Sequence, residues 1–141
     1  MHENNSSIER ARLPICKMQD VLLARFVGRN EAAKMGFSPK VLTRISTAVA
    51  EITRNVIQHS GGDGEMQIMQ LNTGDHHGLR IVVFDYGKGI AHPELYTDNP
   101  RLESMGSGLA GIRKIVDHFH IESTVGSGTT VTMEFWLSGS A

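Results

Sequence analysis

The sequence predicts an α+β domain in which amphipathic helices pack against a sheet, and three patterns carry that expectation. Between Ser38 and His59 the apolar residues Val41, Ile45, Val49, Ile52 and Val56 recur every three or four positions, lining one helical face that needs a surface to cover it. The near-continuous apolar run Ile81-Val82-Val83-Phe84 reads as a strand enclosed within a sheet. Further helical and strand-like stretches follow one another with glycine-rich breaks between them and no internal repeat.

Composition bounds the problem. A chain of 141 residues fits one domain with one core, expected over residues 8–138 after a polar, fraying stretch at 1–7. Hydrophobic residues make up 40% and charged residues 21%, the ordinary mixture of a water-soluble domain. A formal net charge of −1 gives no electrostatic footprint for nucleic acid or an anionic membrane. Cys16 is the single cysteine, so no internal disulfide can form, and it is expected to be a small apolar filler. The start, MHENNSSIER, has no apolar signal core, and no apolar run approaches the length that crosses a bilayer, so a cytoplasmic protein is expected.

Taken in order, residues 8–15 suit a short edge strand, where Pro14 is tolerated because an edge can lose one backbone donor. From Lys17 to Lys34 the positions Val21, Leu22, Phe26, Ala33 and Met35 suggest a helix that Gly36 stops. Ser38-Pro39 is a helix-start signal, a capping hydroxyl followed by a residue with φ already fixed, and the second helix should run to about His59. After Ser60-Gly-Gly-Asp-Gly64, Met66, Ile68 and Leu71 suggest a strand, and 72–78 a hairpin connection into the central strand 79–85. Residues 86–107 are rich in glycine, proline and other turn-formers and read as a long loop, a length usually reserved for function. Leu109, Ile112, Ile115, Val116 and Phe119 mark a third helix, and strands at about 120–125 and 129–137 flank Gly126-Ser-Gly128. Trp136 is expected in the core.

Four pieces carry chemistry. Glu51 and Asn55 stand four residues apart, stacked on one helical face at the border of the apolar stripe. A carboxylate there can take a proton from a nucleophile, and an amide oxygen suits the oxygen shell of Mg²⁺. Asp85-Tyr-Gly87-Lys-Gly89 stands where the central strand ends, and its aspartate can accept a hydrogen bond from an amino group such as adenine's. Gly106-Ser107-Gly108-Leu109-Ala-Gly111 opens a helix, where free amides and the helix dipole attract phosphate. The strand that precedes a dinucleotide-binding turn is missing, which disfavours a Rossmann reading. The fourth piece is Gly126-Ser-Gly128-Thr129, which offers a hydroxyl near a strand edge.

In this order and spacing the four pieces resemble the asparagine box, the two glycine boxes and the terminal Gly-Thr of the GHKL superfamily, which includes gyrase B, MutL and histidine kinases. Within it, Ala50-Glu-Ile-Thr-Arg-Asn-Val56, Gly108-Leu-Ala-Gly-Ile-Arg-Lys-Ile-Val-Asp-His-Phe119 and Ile121-Glu-Ser-Thr-Val-Gly-Ser-Gly-Thr129 look like the RsbT-type serine kinases, and the likeness covers about residues 20–137. The resemblance implies the Bergerat ATP-binding fold: a two-layer α/β sandwich whose mixed, mostly antiparallel sheet is covered on one face by about three helices. It implies ATP and Mg²⁺, with Glu51 as general base, Asn55 as the metal ligand and Asp85 with Thr129 at adenine. Gly87 and Gly89 would line the base, and Gly106, Ser107, Gly108, Leu109 and Gly111 would form the phosphate loop. The lid from Leu95 to Gly106 is more similar to that of the SpoIIAB and RsbW anti-sigma kinases, whose arginine precedes the proline. Here Asn99 holds that place and Arg101 follows Pro100.

The resemblance therefore implies a protein serine/threonine kinase of a bacterial partner-switching stress pathway that phosphorylates a STAS-type antagonist. A sigma factor and a downstream phosphatase are further candidate partners. The alternative is an anti-sigma factor that sequesters a sigma factor and phosphorylates its antagonist, and a third reading is a nucleotide sensor without chemistry, which Glu51 disfavours. The histidines at 76–77 and 118–120 lack structural metal-site spacing and are expected at a solvated hairpin tip and helix end. Arg113 and Lys114 are expected on a solvated or partner-facing surface.

Overall fold

The structure is a computed structural model that describes residues 5–60, 63–86, 109–124 and 126–137. Among these, strand β1 (Asn5–Ile15) leads into helices α1 (Met18–Met35) and α2 (Pro39–Ser60), then strands β2 (Gly64–Thr73) and β3 (His76–Asp85). A short helix α3 (Leu109–Ile112) precedes β4 (His118–Thr124) and β5 (Gly128–Trp136). The five strands form one sheet in the order β1-β2-β3-β5-β4, with β3 at its centre, and every recorded pairing is antiparallel. The expected sandwich is thus found, and where a mixed sheet was expected, every pairing among the described residues is antiparallel.

Local chemistry fixes the helix ends. The Asp20 carboxylate accepts the free backbone N–H groups of Cys16 and Lys17 at 2.8 and 3.1 Å, closing the start of α1. Gly36 ends it with φ +100°. The Ser38 hydroxyl caps α2 by accepting from the Val41 N–H at 3.3 Å, as Ser38-Pro39 foretold.

Helix α2 presents Leu42, Ile45, Val49, Ile52 and Val56 to the core, where they meet Met66, Ile68, Leu79, Ile81, Val83, Val131 and Met133 from one face of the sheet. Burying each such side chain contributes roughly 1.5–3 kcal/mol, so this contact dominates the stability of the domain. Helix α1 lies beside α2 and crosses it closely at Gly28, where a Cβ would stand 3.3 Å from Val49 Cγ2.

Several expectations change. Residues 5–7, part of the stretch expected to fray, lie in β1 and pair with Thr73, Asn72 and Leu71. On α1 the buried residues are Val21, Ala24, Gly28 and Ala32, while Leu22 and Phe26 are 65% and 67% exposed, because the small residues permit the close helix contact and turn the large ones outward. The β2–β3 connection shrinks to Gly74-Asp75, since Thr73 pairs directly with His76. The third helix stops at Ile112. Tight turns follow, with Lys114 N–H bonded to Gly111 O and Ile115 N–H to Ile112 O. Phe119 and the histidines at 118 and 120 therefore lie in a strand, whose pairing with β5 displaces the helical pattern. Cys16 is exposed rather than filler. Trp136 covers the sheet face away from the helices, lying over Gly78, where a Cβ would meet the indole at 2.6 Å. The long loop expected at 86–107 lies, beyond Tyr86, outside the described residues. No described helix is long and apolar enough to cross a membrane.

Candidate functional site

Directly opposed residues of an antiparallel sheet share a face, so the ladder divides into transverse rows. On the helix side one row is Met66, Val83, Val131 and Ile121, from β2, β3, β5 and β4, and all are apolar. The next row outward is Gly64, Asp85, Thr129 and Ser123. The face that carries the core thus turns polar within one step, while still lying on the helix side. Thr129 is only 9% exposed. Buried polar groups need partners, and Thr129 Oγ1 has one in Ser123 Oγ at 2.8 Å.

Two glycines make the row possible. A Cβ at Gly64 would stand 2.7 Å from both Val56 Cγ1 and the Phe84 carbonyl oxygen, so α2 rests directly on the sheet here. Gly128 has φ +105°, and a Cβ on it would reach the Asp85 carbonyl oxygen at 2.0 Å. The Tyr86 N–H donates to the Asp63 carbonyl at 2.9 Å, tying the end of β3 to the start of β2.

Helix α2 brings the second group. Val56 presses on Gly64, which sets the preceding residue, Asn55, near the same end of the sheet, half-buried. Asn55 makes no side-chain hydrogen bond to another described residue. Glu51, one turn earlier, is also half-buried and accepts a hydrogen bond from Arg54 Nη1 at 2.8 Å. Glu51 and Arg54 line an open groove of about 490 Å³ between the outer faces of α1 and α2, together with Arg25, Arg29, Ser46 and Thr47.

Of the residues singled out from sequence, the structure brings Asp85 and Thr129 side by side, with Asn55 and Glu51 on the helix above. Leu109 and Gly111 lie in α3, which packs against α2 through the buried Ile112. Gly87, Gly89, Gly106, Ser107, Gly108 and Arg101 lie outside the described residues. Sequence reasoning missed Ser123, whose hydroxyl stands 2.8 Å from Thr129 Oγ1. Counting back across the Gly126-Ser-Gly128 hairpin would have paired the two. It also missed Arg54 as the partner of Glu51, although the i, i+3 spacing announces it.

Comparison with known proteins identifies the family and the fold. The model of the histidine kinase-like ATPase domain matches residues 17–135. The serine/threonine-protein kinase RsbT of Bacillus subtilis is 33% identical over 120 residues, covering 84% of this chain and 90% of that protein. The anti-sigma F factor of Clostridium novyi is 30% identical over 126 residues, covering 85% and 88%. Among solved structures, the nucleotide-free catalytic domain of the histidine kinase ThkA superposes with a TM-score of 0.53 at 16% identity, covering 96% of this chain and 95% of that one, a likeness of fold.

Proposed function

Because the chain belongs to the histidine kinase-like ATPase domain family, we propose that it is a protein serine/threonine kinase that uses Mg·ATP to phosphorylate a STAS-type antagonist protein in a bacterial partner-switching stress pathway. The observation that carries this reading is the polar row Asp85–Thr129 beneath the helix that bears Glu51 and Asn55. The residues fit such a ligand. Asp85 and Thr129 are directly opposed in the sheet, and a carboxylate and a hydroxyl on one face suit an amino group on a base. Asn55 offers an amide oxygen uncommitted among the described residues, of the kind Mg²⁺ takes.

When bound, Mg·ATP supplies the γ-phosphoryl group and the cation that offsets its charge. The chain's part is positional and electrostatic. Asp85 and Thr129, with Gly87 and Gly89, hold the base, and the 106–111 loop, with Gly106, Ser107, Gly108, Leu109 and Gly111, cradles phosphate with backbone amides. Glu51 accepts the proton of the partner's serine hydroxyl, and since Arg54 bonds Oε1, the second carboxylate oxygen can take that proton while Arg54 holds the group in place. Such a kinase works in the cytoplasm, where ATP and its protein substrate are found together.

Incubation with γ-labelled ATP and a STAS protein should move label onto the partner's serine. A folded, ATP-binding protein that transfers none to any STAS partner would end the kinase reading. The second reading is an anti-sigma factor, favoured by the anti-sigma F factor relatives. Pull-down against a sigma factor and a STAS protein separates them, since a kinase that is not an anti-sigma factor retains the STAS protein alone.

A further inference from the structure

We propose that the outer face of α1 is a docking surface for the protein partner, which meets it with an apolar patch bordered by carboxylates. The inference deepens the reading of a STAS-type partner and rests on it. Met18, Leu22 and Phe26 stand four residues apart on α1, so their side chains form one stripe along the helix. They are 50%, 65% and 67% exposed, and Leu23 beside them is 48% exposed. Of the six large hydrophobic side chains that are exposed among the described residues, these four share one helix. Single exposed apolar side chains are ordinary, whereas a contiguous stripe of them marks a surface that another molecule covers. Packing within the domain does not use the stripe, because α1 buries its opposite face through Val21, Ala24, Gly28 and Ala32.

The stripe runs into the groove that holds the base. Arg25 and Arg29 form the neighbouring row of α1, three residues on from Leu22 and Phe26, and they line the groove of about 490 Å³ whose α2 wall carries Glu51 and Arg54. A protein seated on the stripe therefore brings a neighbouring segment to Glu51 without leaving the surface. The groove also sets the charge of its occupant. Its arginines are Arg25, Arg29 and Arg54, and its one carboxylate, Glu51, is already paired with Arg54. Arg25 and Arg29 enter no ion pair among the described residues. A second copy of the chain fits poorly, since a two-fold contact sets the same face against itself and brings two arginine-rich grooves together. An apolar centre with carboxylates at its border matches both parts of the surface, the first supplying affinity and the second orientation.

The test is calorimetric binding of the STAS protein, alongside label transfer to it, by the wild type, by Arg29→Glu and by a double variant carrying Leu22→Gln and Phe26→Gln. Both apolar positions are exposed and glutamine suits a helix, so the double variant should fold and bind Mg·ATP as the wild type does. It should bind the STAS protein about 10–100-fold more weakly, the worth of two central apolar contacts, and raise KM for that protein with kcat unchanged. Arg29→Glu should weaken binding by about 10-fold, most at low salt. Equal affinity and KM in the wild type and the double variant would overturn the docking surface and leave the kinase reading standing. A wild type that binds the STAS protein through Leu22 and Phe26 yet transfers no label would end the kinase reading and keep the surface. A wild type that binds no STAS protein would overturn both. Self-association of the free wild type that the double variant abolishes, with STAS binding intact, would give the stripe to a second copy and overturn the proposal.

Discussion

Gly128 lies so close to Asp85 that a Cβ built on it would stand 2.0 Å from the Asp85 carbonyl oxygen. This approach lets β5 set Thr129 beside Asp85, and it happens in a backbone conformation, φ +105°, that side chains resist. Gly128→Ala should therefore cost roughly 2–4 kcal/mol in denaturant unfolding, because conformational strain and a backbone collision add. Gly36 is the control. It has nearly the same φ, +100°, but nothing within 4 Å of a Cβ. Gly36→Ala should cost only about 1 kcal/mol and leave ATP binding alone. Equal losses in the two variants would mean that β5 can move away from Asp85 at no cost.

At the opposite side of the sheet, Arg10 Nε and Glu31 Oε1 are 2.7 Å apart, joining β1 to α1. Burial would raise the Glu31 carboxyl, but hydrogen bonds and charge from Arg10 and Lys34 outweigh it and hold the group below its ordinary value. A carboxyl depressed on folding contributes stability that is present above its unfolded value, near pH 4, and is lost as pH falls through the folded one. Glu31→Gln should accordingly cost about 1 kcal/mol at pH 7 and progressively less below about pH 4. A loss of the same size at pH 3 and pH 7 would exclude the charged pair as the cause.

Asp85→Asn should weaken ATP binding by roughly 1–3 kcal/mol, because the amide can turn a donor toward the amino group that the carboxylate accepts from. Titration calorimetry reads this directly. Unchanged affinity would remove Asp85 from the site.

Much of this could be read from the sequence because one-dimensional patterns report it. The period of Ile45, Val49, Ile52 and Val56 fixed the buried face of α2, and Ser38-Pro39 fixed its start. The run 81–84 marked the central strand. The failures have a common cause. Leu22 and Phe26 are apolar at helical spacing yet exposed, since close packing against α2 favours Ala24, Gly28 and Ala32, whose small size a hydrophobicity pattern undervalues. The helix expected through Phe119 loses to strand pairing with β5, a long-range contact that local propensity does not contain. The transverse row of Gly64, Asp85, Thr129 and Ser123 depends on the register of three hairpin or crossover pairings, so motifs supplied two of its members and geometry the others.

Substitution of Glu51 separates an enzyme from a binder. If Glu51 is the general base, its carboxylate acts on the attacking hydroxyl, whereas the nucleotide is held by Asn55, Asp85 and the glycine loop. Glu51→Ala should then leave Mg·ATP affinity within a few-fold while phosphoryl transfer falls by about 10²–10⁴-fold, the usual worth of a positioned base. Asn55→Ala should lose both, because the cation that neutralises the triphosphate goes with its ligand. The 2.8 Å bond from Arg54 adds a third arm. Arg54 holds Oε1 and leaves the second carboxylate oxygen to accept a proton, so Arg54→Ala removes a group that orients the base but not the base itself. The pair is partly exposed and exposed pairs are worth at most about 1 kcal/mol, so the transfer rate should change by less than about 5-fold in either direction. A solvated helix-edge Glu51 predicts instead a few tenths of a kcal/mol in stability for Glu51→Ala and no effect on rate. Label transfer by folded variants under saturating nucleotide decides between them, and a Glu51→Ala protein that turns over at the wild-type rate would refute the base.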